Sequence, residues 1–350
     1  MNLVTGATGL LGSHIVEQLR LRGRPVRVLV RAGADRSWLA TQDVELVEGD
    51  LCDDRSLTRA CEGVTTIYHA AARVGDWGPW ADFVRVSIDG TRHLIDAAIR
   101  AGVKRFVHVS SISAYGHRNG KDLILDESAP LGQNLYKWSY YTRAKVEAEH
   151  IVWDRHRRGL IEVTVIRPSW IYGPRDRTTI ARLVNLVRTG KAKLLGDGSN
   201  RLNTVYAGNV AECCILAADN PKAAGQAYNA SHDGVITQRQ YFDMLAGTLG
   251  APPVTKRVPY SIAYRAAFLL ECKGHLLKQA RPPMITRYSV WLMGRTSFFE
   301  AEKARKELGW KPTVRYEEGI PMTVRWYLEH VESRSSAHPA ARLREPASAR

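Results

Sequence analysis

Cysteine is scarce in this chain. Its five thiols (Cys52, Cys61, Cys213, Cys214, Cys272) are odd in number and form no C-x-x-C pair, which speaks against a disulfide framework and a zinc site; no metal is expected. Long apolar runs are also missing. The most apolar helical stretch, "YSIAYRAAFLLECKGHLL", is broken by Arg265, Glu271 and Lys273 and falls short of the roughly 18 to 20 uninterrupted apolar residues of a membrane span. Such a helix can still lie on a surface, so a peripheral membrane contact stays compatible. No basic leader or apolar signal segment precedes the strand-like run at residue 2, so secretion is not expected and a cytoplasmic location is. Acidic residues are the minority, 35 against 50 Lys and Arg, for a net charge of +15. Yet the basic clusters "LRLRGRPVRVLVR" and "WDRHRRG" lack the interleaved aromatics of a base-stacking platform. Nucleic acid is therefore not expected as a partner, and an anionic cofactor or membrane accounts for the charge as well.

What the chain does have is an ordinary core composition, 45% apolar and 24% charged, and a regular alternation over its first 170 residues. Short β-branched runs at 2–5, 25–31, 44–50, 64–72, 104–111 and 161–168 predict six strands. Helical patterns separate them, at "LLGSHIVEQLRLRG", at "DDRSLTRACEG" with Asp53 as N-cap and Gly63 as stop, and at 80–101 and 139–158. Continuously apolar strands joined through helices predict an α/β, doubly wound parallel sheet covered on both faces. Beyond residue 170 the pattern loosens into helices with short strands, read as a smaller mixed substrate-side region over 171–331. Segments around 200–230 are candidates to join the first domain. The stretch 332–350, rich in Ala, Arg, Ser and Pro, reads as a disordered tail.

In such folds ligands bind beyond the carboxyl ends of the strands, near the topological switch point. The run "TGATGLLG" places Gly6, Gly9 and Gly12 between the first strand and first helix. Glycines there allow a sharp turn and close approach to a pyrophosphate, and the helix start offers free N–H groups. Thr8, Leu10 and Leu11 fall in the same cradle. At the end of the second strand, where an acid would favour NAD, stands Arg31, with Arg36 close behind; a guanidinium suits the 2′-phosphate of NADP. Asp50, followed by Leu51, ends the third strand as an adenine ligand or as a turn residue. The fourth strand end, "YHAAA", puts the small Ala70 and Ala71 where a nicotinamide ribose needs room, and its His69 reads as a packed histidine rather than a general base.

The fifth strand runs into Ser110 and Ser111, and "YYTRAK" opens the helix after it. Tyr141 and Lys145, four residues apart, share one helical face. A phenol has a pKa near 10; a neighbouring ammonium favours the phenolate and brings it towards useful acid–base strength. The loop "RVGDWGPWADF" contributes Trp77 and Trp80 as candidate covers for an apolar substrate, or as two tryptophans packing a surface loop. Trp170, Tyr172 and the helix at 259–270 add nonpolar surface on the same side.

Taken in order, TGATGLLG, GDL, YHAAA, the strand-end serines, YTRAK and RPSWIYGP resemble the extended short-chain dehydrogenase/reductases, and the resemblance spans nearly the whole chain. It implies a Rossmann fold in which Tyr141 moves the proton, Lys145 holds the nicotinamide ribose and lowers the tyrosine pKa, and Ser111, four before Tyr115, binds the substrate oxygen. Pro168 would open the segment that meets the nicotinamide carboxamide. Ile112 and Ser113 stand where sugar-nucleotide dehydratases carry Asp and Glu, which disfavours dehydration. "GDGSNRLNTVYAGNVAE" looks like the 3β-hydroxysteroid dehydrogenase branch, with its sterol-carboxylate dehydrogenases and 2-alkyl-3-oxoalkanoate reductases, and puts Asn203 on the substrate side. The implied activity is oxidoreduction of a ketone or secondary alcohol on a small hydrophobic substrate, with NADP(H) preferred over NAD(H). A homodimer is compatible. The alternatives are a sugar-nucleotide epimerase using NAD, and a non-catalytic dinucleotide-sensing or RNA-associated protein.

Overall fold

The computed structural model describes residues 1–332, so the tail reading for 332–350 lies, past Glu332, outside the described residues. Seven strands form one wholly parallel sheet: β1 (Asn2–Thr5), β2 (Val26–Val30), β3 (Glu45–Glu48), β4 (Thr66–His69), β5 (Arg105–Val109), β6 (Glu162–Pro168) and β7 (Ala227–Ala230). Their order is β7-β6-β5-β4-β1-β2-β3, so the direction of winding reverses between β1 and β4. In register, Val4 lies between Val28 on one side and Tyr68 on the other. The central strands are buried on both faces, which is why they read as unbroken apolar runs.

The helices flanking the sheet are α1 (Leu10–Leu21), α2 (Asp54–Cys61), α3 (Gly90–Arg100) and α4 (Tyr140–Arg157). Two more follow the sixth strand, α5 (Thr179–Arg188) on the substrate side and α6 (Ala207–Asp219) back on the sheet. One face is sealed by Ile15, Val16 and Leu19 of α1 against Val210, Cys213, Cys214 and Ala217 of α6. The other is sealed by Leu57, Leu94, Ile95, Ala144 and Val152 from α2, α3 and α4. Asp53 caps α2 by accepting from the Arg55 amide at 3.2 Å, and Gly63 follows that helix at φ +67°, both as expected from the sequence.

The helical stretch expected at 80–101 runs through Trp80–Phe83 and a π-helical turn, Val84–Asp89, into α3. The wide turn falls beside the end of β4, and the Ser87 hydroxyl there accepts from the Arg73 amide at 2.9 Å. Four strands stop earlier than expected, β2 at Val30, β3 at Glu48, β4 at His69 and β5 at Val109. Asp50, Ser110 and Ser111 therefore sit in turns just past the sheet. The seventh strand, "AYNA", was not individually predicted. It is short, and it is recruited by β6, with Asn229 opposite Arg167.

The substrate side is built from α5, then α7 (Gln238–Thr248), α8 (Tyr260–Leu276), α9 (Arg287–Gly294) and the C-terminal helix Tyr316–Tyr327. Its main core joins Leu183, Val184, Leu245, Ile320 and Val324. A smaller aromatic core, Tyr115, Trp291 and Phe299, locks α9 against the turn that follows β5.

Candidate dinucleotide and catalytic site

Gly6 ends β1 at φ +74°, and a Cβ there would stand 2.8 Å from the Ala71 nitrogen. The turn between β1 and α1 is thus pressed against the end of β4 at the switch point, and only glycine fits. Gly12 has the same cause, since a Cβ would come within 2.1 Å of the Gly6 carbonyl oxygen. Gly9 differs: a Cβ meets only the Gly6 oxygen, at 3.2 Å, and the residue is exposed with Thr8 beside it. Packing therefore leaves open the direction from which a pyrophosphate would approach. No side chain caps α1, and no acid stands in its first turn, so the amides of Leu10 and Leu11 are left for an anion. These residues fit a dinucleotide.

Around this cradle, Arg31 is exposed and has no ion-pair partner among the described residues. Arg36 is committed elsewhere, to the carboxylate of Glu48 and, at 3.3 Å, to the Arg31 carbonyl; of the two candidates only Arg31 stays available. Asp50 does form a turn, accepting from the Cys52 amide at 2.9 Å through Oδ1. Leu51 is buried and touches α3, where a Cβ on Gly90 would meet it at 2.9 Å. The Ala70 and Ala71 amides are drawn to Thr5, to its carbonyl and its hydroxyl respectively. His69 lies between the hydroxyls of Thr5 (2.8 Å) and Thr91 (2.9 Å), and burial pushes its pKa down to about 3. It is a neutral structural residue, as read from the sequence.

Past β5 the two serines separate by role. Ser110 donates to Glu149 at 2.7 Å, a carboxylate with no exposure that also binds the guanidinium of Arg167. Ser111 accepts from the Ser113 amide at 3.1 Å, and its hydroxyl neighbours the phenol of Tyr141, whose pKa it lowers. Lys145, one turn along α4, donates to the Val109 carbonyl at 2.7 Å, with its ammonium 6.0 Å from the Tyr141 ring centre. Burial lowers the Lys145 pKa to about 8, and Glu149 one turn further on raises it. Burial raises the pKa of Tyr141, and the Ser111 hydroxyl lowers it. This corrects the expectation that the ammonium governs the tyrosine. In the protein alone desolvation dominates and Ser111 is the opposing influence, because the Lys145 ammonium is turned to the Val109 carbonyl.

Beside Tyr141 lies a narrow, partly open pocket lined by Asp76, Trp77, Tyr136, Trp138, His275, Arg287 and Tyr288 among others, with about 10 Å³ free, room for roughly one water. The Tyr288 ring stands edge-on to that of Tyr141 at 6.1 Å. Trp77 is on this wall: its ring lies 4.3 Å from His275 and its Nε1 donates to the Gln279 carbonyl. The other proposed substrate-side residues are not. Trp80 packs on the outside of α4, with Tyr140 at 5.5 Å and the Arg143 guanidinium over its ring. Trp170 rests on Tyr241 in the substrate-side core. Tyr172 is 2% exposed with its hydroxyl on Asp233. Asn203 spends its amide on the backbone of Ser297 and Phe299, clipping the strand after α9. Aromatic character alone misplaced three of these, because nonpolar surface serves a core and a pocket equally. Tyr136, Trp138, His275, Arg287 and Tyr288 were missed, since nothing local in the sequence marks residues that tertiary packing brings together from the loop before α4 and from α8 and α9.

A parallel sheet with a glycine cradle at its switch point and a Ser–Tyr–Lys set where the end of β5 meets α4 defines a dinucleotide-dependent enzyme. The chain belongs to the NAD dependent epimerase/dehydratase family, whose profile matches residues 2–231, and is an NAD(P)-dependent oxidoreductase of the short-chain type. It is 31% identical over 324 residues to the 2-alkyl-3-oxoalkanoate reductase of Stenotrophomonas maltophilia, covering 91% of this chain and 96% of that one. It is also 31% identical over 335 residues to the decarboxylating sterol-4-alpha-carboxylate 3-dehydrogenase of Mus musculus, covering 92% and 89%. Among solved structures, gox2253 superimposes with a TM-score of 0.79 at 29% identity, over 95% of this chain and 98% of that one. The dTDP-glucose 4,6-dehydratase DesIV of Streptomyces venezuelae, solved with NAD bound, superimposes at 0.75 with 27% identity, over 95% and 98%.

Proposed function

We propose that the protein interconverts a ketone and a secondary alcohol on a hydrophobic, steroid-like or 3-oxoacyl-like substrate, with NADP(H) preferred over NAD(H). The observation that carries this reading is the contact of Ser111 with Tyr141, above Lys145 and beside an aromatic-walled cavity. Gly6, Gly9 and the α1 N-terminus would hold the pyrophosphate of a dinucleotide, which would supply or accept the hydride through its nicotinamide. Tyr141 gives a proton to the carbonyl oxygen in reduction and takes it back in oxidation. Ser111, whose oxygen already accepts from Ser113, turns its O–H to the same substrate oxygen and holds it as charge develops. Lys145 keeps a positive charge beneath the phenol, and Pro168 closes the strand end against the cofactor. The buried Glu149–Arg167 pair fixes the rear of α4, and with it the direction in which Lys145 points.

Arg31, left without a carboxylate, supports NADP; Trp77 and Trp138 support an apolar substrate. The 2-alkyl-3-oxoalkanoate and sterol enzymes named above are consistent with that class. The test is consumption of NADPH and NADH across a panel of 3-oxo acids, 3-ketosteroids and UDP-sugars. Turnover of an oxo acid or ketosteroid, faster with NADPH, is expected; activity on UDP-sugars alone would overturn the reading.

A further inference from the structure

Four arginines are buried among the described residues: Arg105, Arg167, Arg287 and Arg295. Three have a carboxylate each, Arg105 with Glu162, Arg167 with Glu149 and Arg287 with Glu271. Arg295, directly after α9, has none. It is 1% exposed, and its Nε, Nη1 and Nη2 all lack a hydrogen-bond partner among the described residues. Its guanidinium lies 4.2 Å from the Trp291 ring centre and 5.4 Å from that of Phe299. Its ionisable neighbours include the phenols of Tyr288, Tyr260 and Tyr136 and the imidazole of His117.

Aromatic faces offset part of the cost of burying a cation, but they satisfy none of the five N–H donors. An unpaired buried charge is among the most expensive features a fold can carry. Burial depresses its pKa only to about 10, so the charge is retained at neutral pH. The carboxylates lining the cavity are engaged elsewhere, Glu271 by Arg287 and Asp76 by the Thr286 hydroxyl. Tyr288, whose ring stands 5.9 Å from that of the Trp291 beneath the guanidinium, lines that cavity together with Tyr136, and Tyr288 touches Tyr141. The missing anion is thus sought one ring away from the proposed proton donor.

We propose that Arg295 binds a carboxylate of the substrate, which makes the substrate an apolar oxo or hydroxy acid with its carboxylate a few carbons from the reacting centre. This rests on the ketone-reducing reading above. Because the cavity holds about one water as it stands, entry of the acid displaces the rings of Tyr136 and Tyr288 and brings its carboxylate to the guanidinium.

Two measurements test it separately from that reading. With NADPH present, decanoate and 1-decanol are compared as ligands by thermal shift and by quenching of tryptophan fluorescence, in wild type and Arg295→Met. Decanoate is expected to stabilise and quench wild type more than decanol does, and to lose that advantage in the variant; equal effects of the two ligands in wild type overturn the anion site, whether or not any ketone is reduced. For turnover, kcat/KM is compared for a 2-alkyl-3-oxo acid and its methyl ester. Arg295→Met is expected to lower the acid-to-ester ratio on the order of 10²-fold, with partial recovery in Arg295→Lys. An unchanged ratio overturns the proposal. Turnover of neither compound by wild type would sink the ketone-reducing reading instead, leaving the decanoate comparison to decide the site. Should Arg295→Met fail to fold, Arg295→Lys and the wild-type ligand comparison carry the test.

Discussion

At the scale of single residues, the site depends on which groups burial leaves charged. Tyr141 is the proposed proton carrier, so Tyr141→Phe is expected to lower kcat by about 10²- to 10⁴-fold with little change in cofactor affinity, read by NADPH fluorescence titration. Retained turnover would remove the phenol from the mechanism. Lys145 allows a second test. Its folded pKa of about 8 lies below the ordinary lysine value of 10.5, so between those values the unfolded chain binds the proton and the native protein does not. Stability attributable to this residue is therefore at its lowest below pH 8 and rises as pH climbs towards 10.5. Relative to Lys145→Met, the cofactor-free wild type is expected to gain about 2 kcal/mol between pH 7 and pH 9.5, measured by urea unfolding at each pH. A pH-independent difference would show that the ammonium is not desolvated.

At the scale of elements, α8 serves two surfaces. Its inner face places Glu271 and His275 at the cavity. Its outer face exposes Ile262, Leu269 and Leu276, which fall at seven-residue intervals with Arg265 and Lys273 between them. No acidic residue shares that face, because Glu271 points inward. An apolar stripe with basic residues at its margin matches the surface of an anionic bilayer, and we propose that α8 makes a peripheral contact there. The protein is expected to sediment with vesicles containing phosphatidylglycerol and much less with phosphatidylcholine alone, and Leu269→Glu with Leu276→Glu should abolish the binding. Equal sedimentation of the double variant would rule out this face. The same helix explains why the sequence showed an apolar stretch too charged to span a membrane: each charge has a place, on the rim or in the Glu271–Arg287 pair.

At the scale of the whole molecule, the sheet is completed only after the chain has left it. β7 and α6 come from beyond residue 200, and α6 supplies Val210, Cys213 and Cys214 to the core that covers α1. A fragment ending at residue 170 is therefore expected to be insoluble or molten, while one ending at 332 folds; near-UV circular dichroism and unfolding cooperativity distinguish them. A cooperative 1–170 fragment would show that the first domain stands alone. The sequence by itself determined the parallel α/β class, and it marked the glycine turn and the shared helical face of Tyr141 and Lys145, because these rest on short-range rules: strand burial, a turn that tolerates no Cβ, and the pitch of a helix. Only the tertiary structure showed what Ser110 does instead, since its partner is the buried carboxylate of Glu149, 39 residues away. It likewise freed Arg31 by tying Arg36 to Glu48, and withdrew Trp80, Trp170, Tyr172 and Asn203 from the pocket. It left Arg295 without a carboxylate, because the pairing of a buried charge is set by residues distant in sequence and close in space.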